Sequence, residues 1–143
     1  MNVGMILISH GEFAKAALGS AEMIAGPQEQ IIALALTEDK SLETLESEIV
    51  EAYQTLMKEN DQVLALCDIY GGTPFNALLK TMLKGTPILA YTGLSLPLLI
   101  DLIFSRNTMN SMDELKKHIL ETQNMVLKEI ELPSFDDEDE EEK

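Results

Sequence analysis

Two short stretches of this chain have residue types and spacings that could do chemistry. CDIYGGTPFN, Cys67 to Asn76, places an acid, two glycines, a hydroxyl and a proline within ten residues. SHG, Ser9 to Gly11, holds one of the chain's 2 histidines. A carboxylate that accepts the Nδ1–H of an imidazole fixes its tautomer and leaves the Nε2 lone pair free as a base or nucleophile. Asp68 and His10 are the candidates for that pair. Gly71 and Gly72 permit positive φ and the close approach of another group to the backbone. Thr73 is read as the N-cap of a following helix, and Pro74 as its first residue, where a missing N–H costs nothing. Such a turn offers backbone N–H groups at the positive end of a helix, where anions bind. A nucleophilic histidine, an orienting acid and an anion site suit phosphoryl transfer to His10. Gly11, Gly71, Gly72 and Thr73 are then the expected phosphoryl-binding residues. The sequence has no Walker lysine motif, which argues against bound ATP as the donor.

The elements around these stretches must bring them together. Met5 to Ser9 reads as a nearly continuous apolar strand, and Glu12 to Ala25 as a helix stopped by Gly26 and Pro27. Ile31 to Leu36 is a second strand. Ser41 to Lys58 is an amphipathic helix with Leu42, Leu45, Ile49, Tyr53 and Leu56 on one face. Gln62 to Cys67 is the third strand, Pro74 to Leu83 its helix, and Pro87 to Tyr91 the fourth strand. Leu96 to Phe104 and Met112 to Met125 are further helices, and Val126 to Leu132 alternates as a final strand does. Apolar strands that alternate with helices predict a doubly wound α/β domain, its parallel sheet covered on both faces. In such sheets the functional crevice lies beyond the carboxyl ends of the strands where their order reverses. With the order 2-1-3-4 that point falls between the first and third strands, which places His10 beside Asp68.

Composition bounds the alternatives. The chain has 143 residues, enough for one core and one domain, spanning 1–132 with an acidic tail at 133–143. A formal charge of −15 disfavours nucleic acid and anionic lipid, and with 5% aromatic residues the chain offers few stacking surfaces. A protein partner is expected to present a positive face. The seven acids of 136–142 with Lys143 carry a net −6 and read as a solvated tail, which leaves −9 on the body. One cysteine excludes an internal disulfide and any Cys-x-x-Cys metal or redox pair, so Cys67 reads as a small core residue. No metal and no cofactor are expected. The N-terminus lacks a basic leader region, and no apolar run reaches the roughly 20 residues of a membrane span, so the expected location is the cytoplasm. His118, in DELKKHILET, reads as solvated on a charged helix. Tyr91, Thr92, Gly93 and Ser95 are candidates for the rim of the crevice.

ILISHGEFAKAALGSAEMI, DIYGGTPFN and YTGLSLPLLIDLIF together resemble the enzyme IIA component of the mannose/sorbose family of the bacterial phosphoenolpyruvate-dependent sugar phosphotransferase system. The resemblance runs from Met1 to Leu132. It implies that His10 accepts a phosphoryl group from the phosphocarrier protein HPr and passes it to an enzyme IIB partner, which works with the membrane components IIC and IID. It further implies that Asp68 bonds the histidine and supports phosphorylation at Nε2, and that the chain is a homodimer. In that dimer the last strand, within Val126 to Leu132, would be exchanged as an antiparallel edge of the partner's sheet. The acidic tail is outside the family pattern. Two alternatives stay open: the phosphotransferase subunit of a dihydroxyacetone kinase system, and a non-catalytic regulator of the same fold. A hydrolase is disfavoured because Ser9 and Cys67 lack a nucleophile-elbow pattern.

Overall fold

VGMILIS, near the N-terminus, has no polar side chain before Ser9, so a strand made from it must be covered on both faces. The computed structural model describes residues 1–134, and there this run forms β1 (Val3–His10), an inner strand of the sheet. It is followed by α1 (Phe13–Ala25), β2 (Ile31–Leu36), α2 (Leu42–Leu56), β3 (Gln62–Cys67) and α3 (Gly72–Leu83). Then come β4 (Leu89–Thr92), α4 (Leu96–Ser105), α5 (Met112–Thr122) and a 3-10 turn at Gln123–Met125. The described strands make one sheet in the order β2-β1-β3-β4, with every pairing parallel. The strand order expected from the sequence is therefore observed.

Alternation along β1 divides the interior in two. Val3, Met5 and Leu7 pack with Leu64 and Leu66 of β3 against α1, α4 and α5, where Ala14, Ala21, Leu99, Leu102 and Leu115 are buried. Ile6 and Ile8 pack with Val63, Ala65 and Cys67 against α2 and α3, where Leu45, Ile49, Leu56, Ala77 and Leu78 are buried. Each Val, Leu, Ile or Met among them contributes about 1.5–3 kcal/mol when fully buried. The same alternation sends Ser9 toward α1 and His10 toward α3. At the far end of the sheet Arg106, itself buried, donates to the carbonyls of Val3 at 2.9 Å, Gln30 at 3.0 Å and Glu29 at 2.8 Å. It ties the start of β1 to the loop entering β2. Nothing in the local sequence marks Arg106 for that role.

Several boundaries differ from the reading of the sequence. β1 starts at Val3 and runs through His10, because the strand also pairs with β3 from Val3 and with β2 up to His10. β4 is Leu89–Thr92 in place of Pro87 to Tyr91, since Pro87 has no amide to give to a ladder. α5 stops at Thr122, and its last turn tightens into the 3-10 turn. Val126 to Leu132 is not a strand in the single chain, and Leu127, Ile130 and Leu132 are more than 90% exposed. A strand exists only with a ladder partner, and this segment pairs with neither β2 nor β4. Most of the acidic tail, from residue 135 on, lies outside the described residues.

Candidate functional site

The parallel register sets Ile8 of β1 against Cys67 of β3. One residue further on, the Asp68 amide donates to the Ile8 carbonyl at 3.0 Å. This brings the Asp68 carboxylate under the end of β1, where one of its oxygens, Oδ2, meets two groups of His10. The His10 amide donates to it at 2.9 Å, and ring Nδ1 lies 2.8 Å away. The other oxygen, Oδ1, accepts the Ile69 amide at 2.9 Å and the Cys67 thiol at 3.6 Å. Burial pushes the Asp68 carboxyl upward. The amide of His10, its ring and the Ile69 amide outweigh that and hold it below its ordinary value. An ionised carboxylate can only accept, so Nδ1 carries the proton and Nε2 of the neutral ring holds a lone pair.

The Nε2–Cε1 edge of the ring lies against the glycine turn. A Cβ placed on Gly72 would stand 3.3 Å from both Nε2 and Cε1 of His10. Gly72 has φ +86 and Gly71 φ +88, conformations that side chains oppose, so GG is required both for the bend and for the room beside the ring. Gly11 also has positive φ, +54, and its amide donates to Leu36 of β2 at 2.7 Å. The His10 side chain is 47% exposed, open to a partner from outside.

The expected capping by Thr73 is not found. The N-cap of α3 is Gly71, without a side-chain bond, and Pro74 lies two residues beyond the first helical position. The two positive-φ glycines, not the Thr73 hydroxyl, turn the chain into the helix. Thr73 remains half-buried beside Gly72. Of the expected rim residues, Ser95 caps α4 by accepting the Leu98 amide at 3.3 Å. The Gly93 amide donates back to Cys67 at 2.9 Å. Tyr91 and Thr92 instead line a groove of about 350 Å³ with Tyr70, Phe75, Leu79 and Met82.

Cys67 is fully buried, and burial together with the Asp68 charge pushes its thiol up to about 12. It is a core residue, as expected, with no thiolate at neutral pH. His118 is not solvated. It is half-buried, with Nε2 2.6 Å from Asp101 Oδ2 on α4. The sequence shows DELKKHILET as charged, but His118 falls on the side of α5 that turns toward α4. Among the described residues no group of three or more His, Cys, Asp or Glu could hold a metal ion. Sequence reasoning weighed Ser9 only as a nucleophile and missed its bond to α1, in which the hydroxyl accepts the Ala14 amide at 2.7 Å. The available signal was a lone polar residue at the end of an apolar strand.

The chain matches the family described as "PTS system fructose IIA component" (EIIA-man) over residues 4–120. It belongs to that family, the IIA components of the sugar phosphotransferase system. It is 30% identical over 125 residues to the mannose-specific EIIAB component of Escherichia coli K12, a match over 85% of this chain and 38% of that protein. The chain thus spans well under half of that two-part relative. It is 29% identical to the sorbose-specific EIIA component of Lacticaseibacillus casei, a match over 81% of this chain and 82% of that protein. Among solved structures, the mannose/sorbose-specific IIA subunit from Enterococcus faecalis aligns with a TM-score of 0.80 at 26% identity. That alignment covers 94% of this chain and 99% of the other. Among the described residues no helix is long and apolar enough to cross a membrane.

Proposed function

We propose that His10 is the phosphoryl carrier of this chain, loaded at Nε2 by phosphorylated HPr and unloaded by an enzyme IIB partner. The observation that carries this reading is the pairing of Nδ1 with Asp68 while Nε2 faces the Gly71–Gly72 turn. In the forward step the Nε2 lone pair attacks phosphorus and a new N–P bond forms. The N–P bond of the donor breaks, and its electron pair returns to the donor imidazole. The phosphorylated ring keeps its Nδ1–H on Asp68, whose negative charge offsets the positive charge that develops on the ring. The IIB step is the same reaction with His10 as leaving group, and the sugar is then phosphorylated downstream with the membrane components. Backbone N–H groups around Gly11, Gly71, Gly72 and Thr73 are the donors proposed for the phosphoryl oxygens. The reaction depends on placement and charge stabilisation more than on covalent work by the protein.

The working unit is a cytoplasmic homodimer in which 126–132 of each chain pairs with an open edge of the other. Two observations support this. β4 and β2 are open edges in the single chain, and Leu127, Ile130 and Leu132 are left exposed just beyond α5. The domain proper is 1–132, with 133–143 as an acidic appendage to it.

The test is intact mass spectrometry after incubation with phosphoenolpyruvate, enzyme I and HPr, with peptide mapping and acid treatment. One acid-labile phosphoryl group on His10 is expected. No label, with HPr active on a control protein, would make the chain a regulator that kept the fold. Label that reaches no IIB component but is accepted by a dihydroxyacetone kinase would reassign the acceptor.

A further inference from the structure

Ser9 is fully buried at the end of β1, one residue before His10. The other β1 residues on its face, Val3, Met5 and Leu7, are apolar members of the core under α1. A hydroxyl in such surroundings is costly unless its bonds are made. Both functions of this one are used. Oγ accepts the Ala14 amide at 2.7 Å and donates to the Gly11 carbonyl at 3.3 Å. A single side chain thus joins the end of the strand to the turn after His10 and to the first turn of α1.

A helix start is ordinarily capped from its own N-cap position, at the surface, where Ser, Thr, Asp or Asn serve. Here that position is Glu12, which makes no side-chain cap bond. Capping instead comes from the strand residue that precedes His10. On the other side of His10, Gly11 is held to Leu36. His10 is therefore fixed at both neighbours, while its own amide and ring share one oxygen of Asp68. A small shift of this turn would pull the amide and the ring away from that oxygen together.

Taking the carrier role of His10 as given, we propose that Ser9 is a positioning residue for phosphoryl transfer. Its hydroxyl locks the β1–α1 turn and so holds the His10 ring on Asp68 with Nε2 aimed into the crevice. Placement errors near 1 Å cost on the order of a hundredfold in rate. Ser9→Ala should therefore slow phosphorylation by about tenfold to a hundredfold, with KM for HPr changed less than about twofold. Ser9→Thr, which keeps the hydroxyl and suits a strand, should recover most of the rate. Ser9→Cys, of nearly the same shape but with a weak donor and acceptor, should fall between them and covers the case in which alanine prevents folding.

The experiment combines these rates with ¹⁵N NMR of the His10 ring and a thermal melt of each variant. Wild type is expected to show one tautomer with Nε2 unprotonated, Ser9→Ala a mixture, and Ser9→Thr the wild-type spectrum. A variant that melts earlier but keeps the wild-type rate and ring spectrum would make Ser9 merely structural and overturn the proposal. Equal loss in Ser9→Thr and Ser9→Ala would overturn it as well. If wild type takes no phosphoryl group from HPr, the carrier reading fails, while the ring spectra still decide whether Ser9 sets the orientation of His10.

Discussion

Among the described residues are two histidine–aspartate pairs, at two quite different places. His10 and Asp68 meet at the carboxyl ends of adjacent parallel strands, and the aspartate bonds Nδ1. His118 and Asp101 meet between two helices, and the aspartate bonds Nε2. Asp101 Oδ2 also takes the hydroxyls of Ser105 and Thr122, each at 3.3 Å, whereas Asp68 is held by backbone amides. Around His10 the chain bends through glycines and leaves room at the free nitrogen. The pair at His118 belongs to a helix–helix contact, with no glycine turn in either helix. The difference teaches that an imidazole and a carboxylate do not make a site by themselves. Which nitrogen is occupied, and what lies beside the other one, decide it.

The largest effect should separate the two histidines. His10→Ala is expected to abolish phosphorylation by HPr, and His118→Ala to keep the rate within about twofold of wild type, since its partner is Asp101 of α4 and no part of the crevice. Phosphate found on His118 by peptide mapping would break the comparison outright.

Next comes the room beside Nε2. Gly72→Ala should lower the transfer rate by about a hundredfold or more, because its methyl would press on the ring from a backbone that opposes it. Gly71→Ala has equal backbone strain but open space around the added carbon. It should lose about 1–2 kcal/mol of stability in a denaturant titration and much less of the rate. Equal rate losses in the two variants would mean that bending, not clearance, is what the glycines provide.

Asp68→Asn keeps the shape and removes the charge, and it should slow transfer by about a hundredfold. The same carboxylate has a pH signature in stability. Its pKa is lower in the folded chain than in the unfolded one, so the unfolded chain takes up the proton first as pH falls. The stabilisation is fully present above the ordinary value of 3.8 and is lost as pH drops through the lower folded value. The stability gap between wild type and Asp68→Ala should be constant at neutral pH and close in acid. A gap that widened in acid would contradict the assignment.

At the helix pair, Asp101→Ala should cost under about 1 kcal/mol, as partly exposed ion pairs do, and leave transfer unchanged. The smallest effect is expected from Thr73→Val. That hydroxyl caps nothing, so the rate should stay within about threefold of wild type, a loss under about 0.7 kcal/mol of transition-state stabilisation. A loss as large as that of His10→Ala would promote Thr73 to an essential phosphoryl ligand.

Much of this protein could be read from local pattern. Unbroken apolar runs such as MILI and VLALC dictate buried parallel strands, since no polar residue is there to face water. The 3.6-residue period of Leu45, Ile49 and Leu56 dictates a helix on that sheet, and the glycine pair dictates a turn. With the common strand order 2-1-3-4 assumed, His10 and Asp68 fall at one crevice, because that order reverses between the first and third strands. What required the tertiary structure are the long-range choices. Arg106 reaches three carbonyls from two separate segments, His118 finds Asp101 on another helix, and Ser9 reaches into the turn beyond its strand. The strand expected at 126–132 finds no partner among the described strands of one chain. Each of these depends on where a distant part of the chain ends up in space, and a residue's type records only that it can bond, not with what.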